Sequence, residues 1–271
     1  MIQKAKEAIA GADALIITAG AGMGVDSGLP DFRGTEGFWR EYPVVKKLGL
    51  RFEEMADPRW FEEDPRLAWA FYGHRLHLYR NTVPHEGFAM LRELGESKQG
   101  GAFVVTSNVD GQFQKAGFNE DHILEVHGSI HHLQCTANCQ NSIWSADSTD
   151  ITIDMEHFRA VGELPVCPAC GALARPNILM FGDWGWNSVR KEMQQRYFDT
   201  WFDSIIAKGW RIAVIEMGAG SHVPTIRHFS ERAGEMPNAA LIRINPREAY
   251  GPKGTLSLEM GALEALRKIR E

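Results

Sequence analysis

A glycine-rich segment near the N-terminus has the residue types of a phosphate-binding loop. It reads GAGMGVDSGLPDFRG over residues 20–34 and follows the apolar run ALIIT at residues 14–18, which predicts a buried strand. Glycines after a strand let backbone N–H groups approach a phosphate without meeting a side chain. The spacing is one residue off the usual dinucleotide fingerprint, so Gly20 and Gly22 as plain turn glycines are the alternative. The segment predicts a loop that binds a phosphorylated ligand.

All four cysteines of the chain fall into two close pairs, Cys135 with Cys139 and Cys167 with Cys170. Two such pairs, separated by a short insert, are typical of a chain that wraps a tetrahedral Zn²⁺ ion. Four protein ligands leave no open coordination position, so the metal would be structural. The alternatives are two disulfides or unrelated buried thiols. The chain lacks secretory features, and cytosolic disulfides are rare.

Polar or glycine residues follow each of five short apolar runs that predict central strands. Helical patterns at residues 67–79 and 193–208 separate some of these runs. Alternating strands and helices predict an α/β fold with a mostly parallel sheet covered on both faces. Ligands of such sheets bind at the carboxyl ends of the strands. The strand ends therefore predict a crevice for an extended ligand such as NAD. The apolar runs are residues 14–18, 102–106, 123–126, 212–215 and 241–244. In the same order, they are followed by Gly20-Ala21-Gly22, Ser107-Asn108-Val109-Asp110, His127-Gly128, residues 216–221 and Asn245-Pro246.

Two inserts interrupt the alternation of strands and helices. Residues 38–85 are rich in aromatic and charged side chains and predict a helical cap over the crevice, whereas residues 133–172 carry the cysteines and predict a small metal module. We therefore predict two domains. A discontinuous Rossmann-like NAD-binding domain would comprise residues 1–37, 86–132 and 173–271, and a small domain would comprise residues 38–85 and 133–172.

Composition narrows the class of protein. The 271 residues are 44% hydrophobic and 24% charged, which is ordinary for a globular chain, and the formal net charge is −6. An acidic chain argues against nucleic acid as a direct partner, because phosphate neutralisation needs a basic surface. No apolar run approaches the roughly 20 residues that span a bilayer. The first apolar run leads into the glycine loop rather than a cleavage site, so we predict a cytoplasmic location without membrane attachment. The oligomeric state stays open.

Several separated motifs together resemble the sirtuin family of NAD-dependent protein-lysine deacylases. They occur in the family's order between residues 19 and 245: GAGMGVDSGLPDFRG, TSNVDGQFQKAG, VHGS, the two cysteine pairs, RPNILMFGDW, GAGSHVP and IN. The resemblance implies a Rossmann-like domain with a small zinc-ribbon and helical domain, and NAD in the cleft between them. It also implies acyl-lysine protein substrates, release of nicotinamide and formation of O-acyl-ADP-ribose.

The same resemblance implies roles for individual residues. His127 would be the base that removes a proton from the ribose hydroxyls, and Asn108 and Asp110 would hold the ribose and the nicotinamide amide. Each could instead be structural: His127 a hydrogen-bonded histidine of the fold, the other two strand-end turn residues. The implied cofactor-binding residues are Gly20, Ala21, Gly22, Asp31, Phe32, Arg33, Ser107, Asn108, Asp110, Gly218, Ala219, Gly220 and Asn245.

The implied substrate-binding residues are Tyr72, Arg75, Phe181 and Gly182. Phe181 and Gly182 would pair with the substrate peptide as an added strand, with Phe181 as plain core the alternative. Tyr72 and Arg75 face the same side of a helix and resemble the pair with which some sirtuins grip the carboxylate of succinyl- or malonyl-lysine. The alternative is an amphipathic helix with an exposed arginine.

Four segments depart from the family pattern. Ser107 replaces Gln, Gln112-Phe113 replaces Leu-His, Gly218-Ala219-Gly220 replaces Gly-Thr-Ser, and Gly182-Asp183 replaces Gly-Glu. These changes lie at positions that the resemblance assigns to cofactor or peptide binding. An NAD-dependent ADP-ribosyltransferase or NAD glycohydrolase is therefore kept as the alternative to a deacylase. A non-catalytic NAD-sensing module is a third hypothesis, against which the presence of His127 argues.

Overall fold

The structure is a computed structural model that describes residues 1–31 and 34–271, with the backbone alone for residues 34–37. The predicted cofactor-binding residues Phe32 and Arg33 lie outside the described residues. Within the described part of the chain, no helix combines the length and apolar character needed to cross a membrane.

A six-stranded parallel sheet forms the centre of the molecule. Its strands are β1 Ala14–Ala19, β2 Ala102–Thr106, β3 Ile123–Glu125, β9 Ile212–Met217, β10 Ala239–Ile244 and β11 Leu256–Leu258. The strand order is β11-β10-β9-β1-β2-β3, and every neighbouring pair is parallel. The sheet confirms the predicted α/β class and all five predicted strands, and adds the short edge strand β11.

Helices cover both faces of this sheet, as predicted. Alternate side chains of β1 enter different apolar cores: Leu15 and Ile17 belong to one, Ala14 and Ile16 to the other. Because successive strand residues point to opposite faces, a strand buried on both faces has to be apolar throughout. The first core is closed by α1 Ile2–Gly11, α7 Glu86–Glu96 and α11 Ala262–Arg270, and the second by α9 Val189–Ala207 and α10 Thr225–Gly234.

The predicted helical insert contains five helices in the described part of the chain. They are α2 Gly34–Glu41, α3 Pro43–Lys47, α4 Phe52–Met55, α5 Trp60–Glu63 and α6 Pro65–Asn81. Asp64 begins α6, the longest of them, by accepting a hydrogen bond from the Leu67 N–H, and Pro65 suits the first helical position.

Smaller antiparallel strands pack against α6. These elements are β4 Gly128–Cys135, β5 Ile143–Ser145, β6 Thr152–Asp154, β7 Arg159–Val161 and β8 Ala174–Ile178, and the short helix α8 Gln112–Lys115 precedes them in the chain. Strand β4 begins directly after His127 and pairs with β5 and β8. The Trp69 indole donates to the Ala174 carbonyl at 3.0 Å, and one apolar core includes residues of both the insert and these strands. The predicted domain boundaries stay a prediction.

Candidate active site

A cavity of about 740 Å³ lies where the carboxyl ends of the parallel strands face the helical insert. Its volume is in the range of small-molecule and cofactor sites. Apart from the four cysteines, three of the described site residues that the sequence predicts do not line it: Gly22, Gly182 and Asn245. Thirteen do: Gly20, Ala21, Asp31, Tyr72, Arg75, Ser107, Asn108, Asp110, His127, Phe181, Gly218, Ala219 and Gly220.

One end of the cavity is built from two backbone loops that touch each other. The loop after β1 meets the loop after β9, with the Gly22 N–H donating to the Gly218 carbonyl at 3.0 Å. A Cβ on Gly20 would lie 2.7 Å from the Ala219 Cα, and one on Gly218 would lie 2.4 Å from the Gly22 Cα. Glycine is required at both positions because the loops approach backbone to backbone. Gly22 therefore supports the wall from behind.

Asn245 braces this same end without lining it. Its side chain is fully buried, donates to the Ala219 carbonyl at 3.0 Å, and accepts from the Arg247 and Glu248 N–H groups. Glu248 in turn accepts hydrogen bonds from the Ser221 N–H and hydroxyl at 3.0 and 2.6 Å. Glu248 and Ser221 line the cavity and were not among the predicted site residues.

Asn108 ties the end of β2 to the glycine loop. Its side-chain amide donates to the Gly20 carbonyl at 3.0 Å, and its backbone N–H is held by the Thr106 hydroxyl. The neighbouring Ser107 N–H donates to the Ala19 carbonyl at 3.1 Å. The side chain of Asn108 is thereby held at the wall of the cavity.

Asp110 is a buried residue whose carboxyl belongs to the cavity lining. Burial is the main cause that raises its pKa to about 6, and the nearby Glu125 acts in the same direction. The Gln112 N–H donates to the carboxyl at 3.0 Å and opposes that rise. Asp110 therefore changes charge close to neutral pH, which is common for carboxyls at functional sites.

His127 occupies the turn between β3 and β4 and lines the cavity wall. Burial lowers the pKa of its imidazole, and a hydrogen bond to the Ser107 backbone opposes the shift. The ring is therefore neutral at pH 7, which is the form that can accept a proton.

The other end of the cavity is built from side chains of α6. Tyr72 and Arg75 are 1% and 6% exposed and both line the cavity, so the exposed-arginine alternative is wrong. Aromatic rings of Phe52, Phe71 and Tyr79 surround the guanidinium. A buried cation beside aromatic rings suits an anionic ligand group.

Phe181 and Gly182 lie in a turn at the cavity mouth. The Phe181 N–H donates to the Ala56 carbonyl at 3.0 Å, and its ring packs edge-on to Phe52. Asp183, which departs from the family pattern, forms a buried ion pair with Arg175 at 2.6 Å. This ion pair braces the turn from within the protein. The predicted pairing of this segment with a peptide stays a prediction.

A hydrogen bond that the sequence did not indicate joins the two sides of the cavity mouth. The His222 Nε2, after β9, lies 2.6 Å from the Glu53 carboxylate on α4. Both residues line the cavity. They are 169 positions apart in the chain, so no local pattern could have paired them.

The four cysteines come together as predicted, outside the cavity lining. Their sulfur atoms all lie within 4.8 Å of one another, and no pair is a disulfide. Cys135 lies next to Cys170, and Cys139 next to Cys167, at Sγ–Sγ distances of 3.6 Å. A tetrahedral site with Zn–S bonds of about 2.3 Å needs sulfur atoms about 3.8 Å apart. The cluster therefore fits a four-coordinate metal, and the disulfide alternative is wrong.

Similarity to known proteins agrees with this geometry. The family model described as the Sir2 family matches residues 20–209. A protein of Thermococcus sibiricus named NAD-dependent protein deacylase is 35% identical over 189 residues, which are 68% of this chain and 66% of that protein. A protein of Archaeoglobus fulgidus named NAD-dependent protein deacylase 1 is 33% identical over 186 residues, again 66% of its length. The matched region thus spans just under two thirds of these relatives.

Solved structures cover the chain more completely. The complex of a Sir2 homologue mutant with ADP-ribose has a TM-score of 0.70 and 26% identity, and the match covers 100% of this chain and 97% of the other. A Sir2 homologue in complex with NAD has a TM-score of 0.67 at the same identity, with 99% and 93% of the two chains covered. The likeness extends over the sheet, the insert and the cysteine module.

Proposed function

Since this chain belongs to the Sir2 family, we propose that it is an NAD-dependent protein-lysine deacylase that releases nicotinamide and O-acyl-ADP-ribose. One observation carries the proposal. A single cavity joins the backbone loops at the strand ends, the neutral imidazole of His127 and the buried guanidinium of Arg75. Such a cavity holds a surface for a cofactor, a base and a cation for the acyl group.

NAD fits the cofactor end by its chemistry. The two glycine loops line the cavity with main chain, whose N–H groups are the kind that bind a pyrophosphate, and a Cβ on Gly20 or Gly218 would collide with the facing loop. Ser221 and Glu248 offer polar groups for the adenosine side, and Asn108 and Asp110 for the ribose and the nicotinamide amide. Bound there, NAD would supply an electrophilic ribose carbon that loses nicotinamide.

His127 supplies the base. With NAD bound, the acyl oxygen of the lysine would bond to the ribose carbon as nicotinamide leaves. The neutral imidazole would then take the proton of a ribose hydroxyl, whose oxygen would bond to the acyl carbon. Water would add to the acyl carbon as the C–N bond to the lysine amine breaks, and the acyl group would stay on the ribose. Burial suits this role because it keeps the imidazole unprotonated at pH 7.

The acyl end favours acyl groups that carry a carboxylate, such as succinyl and malonyl. Arg75 is a buried cation, and the Tyr72 hydroxyl is buried without a hydrogen-bond partner among the described residues. A buried polar atom left unpaired costs about 1–3 kcal/mol, so a ligand that pairs with it gains affinity. Acetyl-lysine would leave the Tyr72 hydroxyl unpaired.

Zn²⁺ at the four cysteines would stabilise the small antiparallel sheet rather than take part in the reaction. Backbone N–H groups of Ala169 and Cys170 form hydrogen bonds to the Cys167 sulfur, which favours the thiolate that binds a metal. Chelation should lower the melting temperature of the protein, because the metal stabilises only the folded state. An unchanged melting temperature after chelation would contradict the structural role.

The proposal also includes a cytoplasmic location and substrates that are proteins rather than nucleic acids.

The decisive experiment measures nicotinamide release with an acetyl-lysine peptide, a succinyl-lysine peptide and no peptide. The wild type should release nicotinamide only with peptide and should yield O-acyl-ADP-ribose by mass spectrometry. His127→Ala should abolish the product but retain ADP-ribose binding. Nicotinamide release without peptide, or ADP-ribose attached to protein, would assign the chain to NAD hydrolysis or ADP-ribosyl transfer instead.

A further inference from the structure

Tyr79 lies one helical turn after Arg75 on α6, outside the Tyr-x-x-Arg pair. Its hydroxyl oxygen accepts hydrogen bonds from two nitrogens of the Arg75 guanidinium, Nε at 3.1 Å and Nη2 at 2.9 Å. Tyr79 is 5% exposed and lines the cavity. Residues four apart on a helix are neighbours, so the contact follows directly from the position of Tyr79 in α6.

This contact fixes how the guanidinium lies in the cavity. The group is planar and presents its N–H donors as a rigid fork. The Tyr79 hydroxyl bonds to the edge of the guanidinium formed by Nε and Nη2. This contact fixes the guanidinium plane, and with it the position of Nη1, relative to α6. An arginine without such a brace would have several rotamers to lose on binding a ligand.

The hydroxyl of Tyr79 also has a defined role as a hydrogen-bond donor toward a ligand. Both lone pairs of a phenol oxygen are used when it accepts two N–H groups, so toward any third group it acts as a donor. Burial is the main cause that raises the pKa of Tyr79, and the Asp110 charge acts the same way, whereas Arg75 opposes them. The phenol therefore keeps its proton.

We propose that Tyr79 is a specificity-determining residue that orients the Arg75 guanidinium and donates its O–H to the terminal carboxylate of an acidic acyl-lysine. The inference rests on the proposed deacylase function and deepens it. With Tyr72 and Arg75, Tyr79 makes a subsite of three donors from one helix. The subsite selects dicarboxylic acyl chains over neutral ones because only a carboxylate accepts from all three.

A structural role for Tyr79 is the competing explanation, since its ring also packs in the aromatic core. Tyr42 provides a matched control. It belongs to the same core, its hydroxyl bonds to the His74 ring at 3.1 Å, and it does not line the cavity. Tyr42→Phe and Tyr79→Phe each remove one buried, hydrogen-bonded hydroxyl and keep the ring.

The test compares kcat/KM for a succinyl-lysine and an acetyl-lysine peptide of one sequence, in the wild type and both variants. In Tyr79→Phe the succinyl-to-acetyl ratio should fall by roughly 10- to 100-fold, the size expected for a hydrogen bond to a charged group, mostly through KM. In Tyr42→Phe the ratio should stay that of the wild type. Equal losses on both peptides in Tyr79→Phe, or no preference for succinyl in the wild type, would overturn the proposal.

A binding measurement separates this proposal from the reaction itself. Fluorescent succinyl- and acetyl-lysine peptides are titrated with each protein in the presence of ADP-ribose. If no peptide is turned over, the deacylase proposal fails. The anisotropy still decides the role of Tyr79: weaker binding of the succinyl peptide alone in Tyr79→Phe supports it, and unchanged binding contradicts it.

Discussion

The two ends of the cavity are built by different means. The cofactor end consists of main chain: the loops after β1 and β9 touch at Gly22 and Gly218, and buried Asn245 holds them from behind. The acyl end consists of side chains from one helix, with Arg75 held between tyrosines. A contact between two main-chain loops cannot be rebuilt by another side chain, whereas a side chain on a helix can be substituted without moving the backbone. The first end should therefore be intolerant of substitution and the second adjustable.

Gly218→Ala tests the intolerance of the cofactor end and should have the largest effect. The new Cβ would lie 2.4 Å from the Gly22 Cα and the backbone has φ +62°, so strain adds to the collision. We expect loss of ADP-ribose binding and a destabilisation of several kcal/mol, measured by calorimetry and urea unfolding. Gly209→Ala is the control: its φ is +65°, but nothing lies within 4 Å of the added Cβ. Gly209→Ala should cost only about 1 kcal/mol. Equal effects of the two variants would show that the loop contact is unimportant.

Arg75→Met tests whether the acyl end can change while the cofactor end stays intact. Methionine fills much of the buried space of arginine but offers no donor, so the succinyl-to-acetyl ratio of kcat/KM should fall by roughly 100-fold. ADP-ribose affinity should stay near that of the wild type, because Arg75 lies on the helical side of the cavity and the loops after β1 and β9 hold each other. A parallel loss of ADP-ribose binding would show that the two ends are coupled.

The same contrast explains what the sequence could reveal. The cofactor end follows from local patterns: Gly20 and Gly218 belong to the segments predicted to follow two of the apolar runs, and both line the cavity. The five strands were predicted because a strand buried on both faces is continuously apolar. The short edge strand β11 has no such run and was missed.

The acyl end could be predicted only in part. Helical spacing placed Tyr72 and Arg75 on one side of α6, but the burial of Arg75 and its bond to Tyr79 depend on rings from α4 and α6 that enclose it. Asn245 shows that a local pattern can also mark a residue that supports the site without facing the ligand. A polar residue after a strand was predicted to border the ligand, and it instead supports the loops from within.

Asp110→Asn probes a buried carboxyl of the cavity lining. Asp110 has a pKa of about 6 in the folded protein, above its ordinary value, so ionisation opposes folding. The contribution of Asp110 to stability should become less favourable as pH rises from about 4 to 6. Asp110→Asn lacks this change, so its stability relative to the wild type should rise by roughly 2 kcal/mol over that interval. Urea unfolding at several pH values from about 4 to 7.5 measures it. A constant difference across these pH values would contradict the raised pKa.

The smallest expected effect is that of pH on turnover, and it should be the same whichever acyl group occupies the acyl end. His127 is active when neutral, and burial lowers the pKa of its imidazole, so the acidic limb of kcat/KM should lie below pH 6.5. The limb should be the same for succinyl and acetyl peptides, since one base serves both. Asp110 also titrates near pH 6, and Asp110→Asn separates the two groups: a limb that persists in this variant belongs to His127. A limb that differs between the peptides would mean that the acyl end changes the base, and the two ends would then not be independent.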